Sequence, residues 1–167
     1  MTGRSRIAVE GAADPRDLDG DFGHRLAVPV RFGDTDAMGH VNNAVYLTYA
    51  EAARVAWWSD VTGESIIREA DRTAGLILAE ADIAFRAPVF FGETVQVETR
   101  ATRVGRTSVE VEHRLTASSV DGPSRLVATL RSVIVRYDYG LERPIPWTTG
   151  MIERIEAFEG HRLRDGA

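Results

Sequence analysis

The hydrophobic positions of this chain change period as one reads along it. From Arg25, Leu26, Val28, Val30 and Phe32 are separated by Ala27, Pro29 and Arg31, a period of two that predicts a strand. Pro29 has no N–H to give to a ladder, so the strand belongs at a sheet edge or is bulged there. Gly33 to Gly39 is rich in Gly, Asp and Thr and predicts a loop. From Ala44 to Trp58 the chain is apolar on nearly every side, with Thr48, Glu51 and Arg54 as a narrow polar stripe. Asn42 and Asn43 stand before that run as good N-cap residues. A helix this apolar should be buried on most sides, which in a small domain calls for a sheet wrapped around it. Gly63 marks the connection that follows.

Strand patterns then dominate. Leu76 to Phe85 is one candidate, closed by Pro88 and Gly92. Val95, Val97 and Thr99 alternate with Gln96, Glu98 and Arg100, and Gly105-Arg106 predicts a tight turn. Thr107, Val109, Val111, His113 and Leu115 alternate with Ser108, Glu110, Glu112 and Arg114. Asp121-Gly122-Pro123 predicts the next turn. Arg125 to Tyr137 carries apolar residues on both faces, as a central strand or one covered by a partner subunit would. Pro144 and Pro146 interrupt the chain, and Met151 to Phe158 predicts a short terminal helix. Strand, buried helix and four hairpin-linked strands make an α+β arrangement. The expected organisation is a flexible arm over 1–22, one domain over 23–145 and a C-terminal extension with a short helix over 146–167.

Composition narrows the chemistry. The 167 residues are enough for one domain with a sizeable core. There is no cysteine, which removes disulfides, thiolate metal sites and a Cys nucleophile, and fits a cytoplasmic protein. All 20 basic residues are Arg, so a Schiff-base or P-loop lysine is impossible and phosphate contacts fall to Arg or backbone N–H groups. A net charge of −5 does not favour nucleic acid. No window approaches the apolar length of a membrane span, and the first residues lack the apolar core of a secretory signal. No Gly-x-Ser-x-Gly elbow or dinucleotide loop is present. Four scattered histidines do not suggest a metal site, and Asp34 with Asp36 lacks the further ligands of a calcium loop.

The informative stretch is Arg31-Phe32-Gly33-Asp34-Thr35-Asp36-Ala37-Met38-Gly39-His40-Val41-Asn42-Asn43-Ala44-Val45-Tyr46. It resembles the signature of hotdog-fold acyl-CoA thioesterases of the 4-hydroxybenzoyl-CoA thioesterase type, in which Asp-x-Asp-x-x-Gly-His-Val-Asn-Asn-x-x-Tyr leads into a helix. Phe85 to Glu93 and Thr102 to Ser108 resemble later parts of the same family. The resemblance implies a long helix wrapped by a curved antiparallel sheet of about five strands. It also implies hydrolysis of an acyl-CoA without metal or redox cofactor, in a homodimer or homotetramer whose site lies at the subunit interface.

Carried over by position, Asp36 becomes the catalytic carboxylate, and a backbone N–H at or near Asn43 the oxyanion contact. The residues support this independently. Thioester hydrolysis needs a nucleophile or general base and a donor for the developing oxyanion. The first amides of a helix have no intrahelical partner and carry partial positive charge. Gly39 lets the backbone approach a substrate. His40 either shapes the loop or touches substrate. Asn42 and Tyr46 are expected as cap and core residues with a second role as substrate contacts. Glu51 pairs with Arg54 and is the reserve carboxylate, because a second branch of these enzymes uses a Glu on this helix. Arg103 and Arg106 flank a turn and are candidates for the coenzyme A phosphates. Asp34 is expected to bond loop amides. The rivals are a non-catalytic acyl-CoA-binding module and a hotdog hydratase or dehydratase; the latter's Asp-x-Asn-x-x-His pattern is broken here by Met38 and Val41.

Overall fold

A computed structural model describes residues 18–63 and 73–164. Strand β1 (His24–Pro29) leads through a 3-10 turn (Phe32–Asp34) and a loop into helix α1 (Asn43–Thr62). Then follow β2 (Ala74–Phe85), β3 (Thr94–Val104), β4 (Ser108–Ser118), β5 (Arg125–Asp138), the two-residue β6 (Arg143–Pro144) and helix α2 (Thr149–Glu159). The sheet runs β1-β3-β4-β5-β2, all pairs antiparallel, with β6 beside β5. Strands β3, β4 and β5 are a meander, while α1 carries the chain from one margin of the sheet to the other. The expected α+β architecture, one long helix on a curved antiparallel sheet, is present.

Pro29 ends an edge strand, as its missing donor requires. In β4, Val109, Val111, His113, Leu115 and Ala117 are buried and alternate with half-buried polar residues, so one face meets α1 and the other meets water. Beneath α1 lie two apolar clusters. One gathers Val41, Tyr46, Tyr49, Ala53, Val89, Val95 and Leu115. The other gathers Trp57, Trp58, Val61, Val109, Ile134 and, from the C-terminal part, Trp147, Ile155 and Leu163. The C-terminal segment thus contributes Trp147, Ile155 and Leu163 to the core. Burying a side chain of this size contributes about 1.5–3 kcal/mol.

Between the clusters runs a polar row. His24, Thr99 and His113 are register partners across β1, β3 and β4, and all are buried. Thr99 Oγ1 and His113 Nδ1 are 3.0 Å apart. His113, expected on a strand, is fully buried there, and burial, with Arg54 and His24 adding, pushes its imidazole down to about 3. Arg54, assigned to the polar stripe of α1, turns inward and is half-buried.

On the other face of the sheet, Arg100, Glu112 and Arg131 pair across strands, as do Arg25, Glu98 and Arg114. Phe22 lies between the guanidinium groups of Arg100 and Arg114, 4.4 and 4.5 Å from its ring centre. The arm expected over 1–22 lies outside the described residues as far as 17; Leu18 and Phe22 are packed on the sheet.

Helix α1 is less enclosed than its composition suggests, because Leu47 and Val55 remain exposed. So does an apolar strip on β2. Leu78, Ala81, Ile83 and Phe85 are register partners of the helix-facing Ile134, Ser132, Leu130 and Ala128, yet only Ile83 among the four is partly covered. Among the described residues no helix is long and apolar enough to cross a membrane.

Candidate active site

The loop between β1 and α1 folds back on itself. Thr35 and Val41 form a bridge, the Asp36 N–H donates to the His40 carbonyl at 3.0 Å, and the Gly39 N–H donates to the Asp36 carbonyl at 2.9 Å. This is a tight turn that needs a left-handed residue before the chain resumes, and Gly39 supplies it with φ 82°. Asp36 takes the turn's first position, where Asp is favoured because its side chain can accept an amide two residues on. The Met38 N–H donates to Asp36 Oδ1 at 2.8 Å. One carboxylate oxygen is thereby pinned. Oδ2 points toward His40 Nδ1 at 3.8 Å, and the Asp36 side chain keeps 21% of its surface exposed.

Asp34 fastens this loop to the fold. It is buried, and its carboxylate accepts the Arg31 N–H at 2.9 Å, the Arg31 Nη2 at 2.8 Å and the Tyr49 hydroxyl at 2.8 Å. The Arg31 guanidinium holds this carboxyl below the usual carboxylate range, while burial and Asp34 push the Tyr49 phenol upward. The Asp34 carbonyl accepts the Asn42 N–H at 2.9 Å, and the Val41 N–H donates to the Val89 carbonyl at 2.8 Å. The entry to α1 is thus tied both to the Asp34-Asp36 segment and to the turn before β3.

Asn42 is the N-cap, with φ −60° and ψ 138°, and its Oδ1 accepts the Ala44 N–H at 2.9 Å. The Asn42 carbonyl accepts the Val45 N–H. Asn43 is the first helical residue; its N–H has no acceptor among the described residues and lies at the positive end of a 20-residue helix. One turn on, Tyr46 is buried against Phe85, ring centres 5.2 Å apart and edge to face, with its hydroxyl toward the Ala87 carbonyl at 3.5 Å. Burial raises its phenol.

Asp36, Gly39, His40, Asn42 and Asn43 therefore share one hydrogen-bonded loop and helix start, with Tyr46 one turn further along α1. Glu51 lies further along α1, largely exposed and 3.8 Å from Arg54. Arg103 and Arg106 do not join the group. They occupy the far end of β3 and its turn, while the loop containing Asp36 meets the other end through the Val30 N–H and the Glu93 carbonyl. Nine residue steps of strand separate Thr94 from Arg103, about 30 Å. Arg103 is paired with Glu110 at 2.9 Å, and Arg106 is exposed. Motif order cannot show which end of a sheet a hairpin occupies, so sequence grouped residues that the fold separates.

Sequence reasoning also passed over the clamp behind the loop. Arg125 pairs with Glu93 at 2.6 Å and donates to the Pro88 carbonyl, and Glu93 in turn accepts the Phe90 N–H. Glu93 stands two residues after the aromatic pair and Arg125 opens β5; nothing local in either marks the contact.

Comparison with known proteins agrees with this geometry. The thioesterase-like superfamily matches this chain over residues 30–155. A 1,4-dihydroxy-2-naphthoyl-CoA hydrolase of Synechococcus elongatus is 32% identical over 87 residues, 52% of this chain; the chain spans 64% of that protein's length. A thioesterase from Thermus thermophilus, solved with coenzyme A and Zn, is 34% identical with a TM-score of 0.69, covering 85% of this chain and 98% of its own. The 4-hydroxybenzoyl-CoA thioesterase of Pseudomonas sp. strain CBS-3 shares the fold at 21% identity and a TM-score of 0.72, over 78% of this chain and 96% of its own. With its fold, its Asp36 loop and the greater part of its length matched in this way, the chain belongs to the thioesterase-like superfamily.

Proposed function

We propose that this protein hydrolyses an acyl-CoA thioester to a carboxylic acid and coenzyme A in the cytoplasm, with Asp36 as the catalytic carboxylate. One observation carries the assignment. A carboxylate with one oxygen pinned and the other open is held on the same hydrogen-bonded loop as an unpaired helix-terminal N–H. The thioester carbonyl oxygen accepts from the Asn43 N–H, which stabilises the negative charge that develops there. Asp36 Oδ2 then either attacks the carbonyl carbon, expelling the coenzyme A thiolate and leaving an anhydride for water to cleave, or takes a proton from the attacking water. His40 bounds the open side of Asp36, Gly39 supplies the left-handed backbone that closes the turn, and Asn42 and Tyr46 border the substrate.

The proposal includes a homodimer joined along β2. Among the described residues the outer edge of β2 pairs with no strand, and Leu78, Ala81 and Phe85 stay exposed around the partly covered Ile83, with Phe85 beside Tyr46. A second copy would cover both the strip and the edge. Antiparallel pairing of two β2 strands would also turn the partner's β3–β4 turn toward this chain's Asp36 end. In the proposed enzyme, Arg106 meets a coenzyme A phosphate only across that interface.

The test is thiol release from acetyl-, medium-chain, long-chain and benzoyl-CoA, with wild type beside Asp36→Asn. The expected result is turnover of one or more thioesters and a loss of about 100-fold or more in the variant. Turnover unchanged in Asp36→Asn would refute the assignment and move the search to Glu51. A wild type that hydrolyses none but gains thermal stability from an acyl-CoA would make the protein a binding module.

A further inference from the structure

The turn from Arg86 to Glu93, between β2 and β3, touches the candidate site at three points. The Val89 carbonyl accepts the Val41 N–H at 2.8 Å, the Ala87 carbonyl faces the Tyr46 hydroxyl at 3.5 Å, and the Phe91 ring meets Phe32 edge to face, centres 5.9 Å apart. Val41 lies two residues before Asn43, so the Val89 carbonyl is one of two anchors on the helix start. The Asp34 carbonyl on the Asn42 N–H is the other.

The ends of the turn hang on the sheet. The Arg86 and Ala87 N–H groups both donate to the Val127 carbonyl, and the Glu93 carbonyl accepts the Val30 N–H. The middle has little packing to fix it, because Phe90 and Phe91 are exposed and Val89 is the one fully buried residue of the turn. An ion pair fixes it instead. Arg125 Nη1 donates to Glu93 Oε1 at 2.6 Å, and Nη2 donates both to Glu93 Oε2 at 2.8 Å and to the Pro88 carbonyl at 2.6 Å. Glu93 Oε2 also accepts the Phe90 N–H at 2.9 Å. The pair therefore grips the turn on both sides of Val89, and Arg125 holds the Glu93 carboxyl below the usual carboxylate range. Such a pair adds little net stability, since bringing two charges partly out of water offsets most of their attraction. Its two parallel bonds do fix geometry.

We infer that Arg125 and Glu93 are positioning residues for turnover: by fixing Pro88 and Phe90 they fix the Val89 carbonyl, and through the Val41 N–H they hold the Asn43 N–H in line with the thioester oxygen. The inference rests on the thioesterase reading and adds a device that acts on the oxyanion donor from outside the Asp36 loop. The two side chains work through the backbone and not on substrate. An oxyanion donor acts on charge that develops in the transition state, so its misplacement lowers kcat and kcat/KM together and leaves KM near the wild-type value.

The experiment compares wild type, Arg125→Met, Arg125→Lys and the double variant Arg125→Met/Glu93→Gln. It reads kcat and KM for the acyl-CoA that wild type hydrolyses fastest, and amide hydrogen exchange at Val41, Val97 and Val111 by NMR. The double variant leaves neither charge unpaired, so it separates position from stability. In it, exchange at Val41 is expected to rise and kcat to fall, each at least about ten-fold, with KM and the exchange at Val97 and Val111 near wild type. Arg125→Lys keeps the charge without the fork and should recover only part of the kcat lost in Arg125→Met. Unchanged exchange at Val41 overturns the inference, and so does a wild-type kcat in the double variant. Exchange raised equally at all three amides also overturns it, because the pair then only stabilises the fold. A wild type without turnover refutes the thioesterase reading instead, and the exchange at Val41 still judges the clamp.

Discussion

Replacing Asp34 by alanine tests whether the loop is held as described. The side chain accepts from the Arg31 N–H, the Arg31 guanidinium and the Tyr49 hydroxyl. Arg31 is mostly exposed, so its guanidinium returns to water at little cost. Tyr49 is 2% exposed and cannot do the same. Leaving its hydroxyl without an acceptor costs about 1–3 kcal/mol, and the lost bond to the Arg31 amide about 1 kcal/mol more. The sum is about 2–4 kcal/mol, which for a domain of this size lowers Tm by about 5–12 °C. Differential scanning fluorimetry measures it. Tyr49→Phe sharpens the test. Alone it removes one hydrogen bond and costs about 1 kcal/mol; added to Asp34→Ala it removes the orphaned hydroxyl and should restore part of the loss. Asp34→Ala with a Tm within about 2 °C of wild type, or a double variant no more stable than Asp34→Ala, would refute the reasoning.

Other perturbations reach other parts of the molecule. Asn42→Ala removes the cap on the Ala44 N–H and should cost about 1 kcal/mol in urea unfolding. Leu78→Arg on the exposed strip of β2 should convert the proposed homodimer to monomers in light scattering and lower activity with it; an active variant of unchanged mass would remove β2 from the proposed interface. Stability should fall between pH 7 and pH 5. His113 is buried neutral with its pKa lowered to about 3, so in this window the unfolded chain binds the proton that the folded one refuses, and folding loses about 2 kcal/mol at pH 5. His24, lowered by burial, adds to the fall; Glu159, raised by burial, opposes it as pH approaches the carboxylate range. His113→Gln should shrink the difference in Tm between the two pH values, and an undiminished difference would refute this account.

What was legible in the sequence is what depends on neighbours in the chain. The Asp36 turn is readable because an Asp in first position and a Gly in left-handed geometry are local requirements, and Asn42 is readable as a cap for the same reason. Apolar alternation placed Phe32 with Val28 and Val30 in a strand, but β1 ends at Pro29 and the Asp34 lock turns Phe32 out into water. The docking of Phe22 was hidden because its partners are two arginines fixed by cross-strand carboxylates, a surface that exists only once β3 and β4 pair. His113 sits at an apolar position of an alternating strand, so its burial was readable from period alone; its link to Thr99 was not, because register decides it.

The way α1 is capped connects stability to chemistry. A helix start offers several amides without intrahelical partners, and a fully satisfied cap would leave none for a substrate. Here the Asn42 side chain takes the Ala44 amide, its carbonyl takes the Val45 amide, and the Asn43 amide stays free. That amide is exposed to water, so holding it open costs the folded protein little until a substrate displaces the water. The position of the helix start is set by the Asn42 N–H on the Asp34 carbonyl, and the loop bearing Asp36 by the Asp34 carboxylate. A single residue therefore aligns the proposed catalytic carboxylate, Asp36, with the proposed oxyanion donor, the Asn43 N–H. Loosening it should lower turnover beyond the fraction of protein unfolded, because a small misplacement of reacting groups costs far more in rate than in stability.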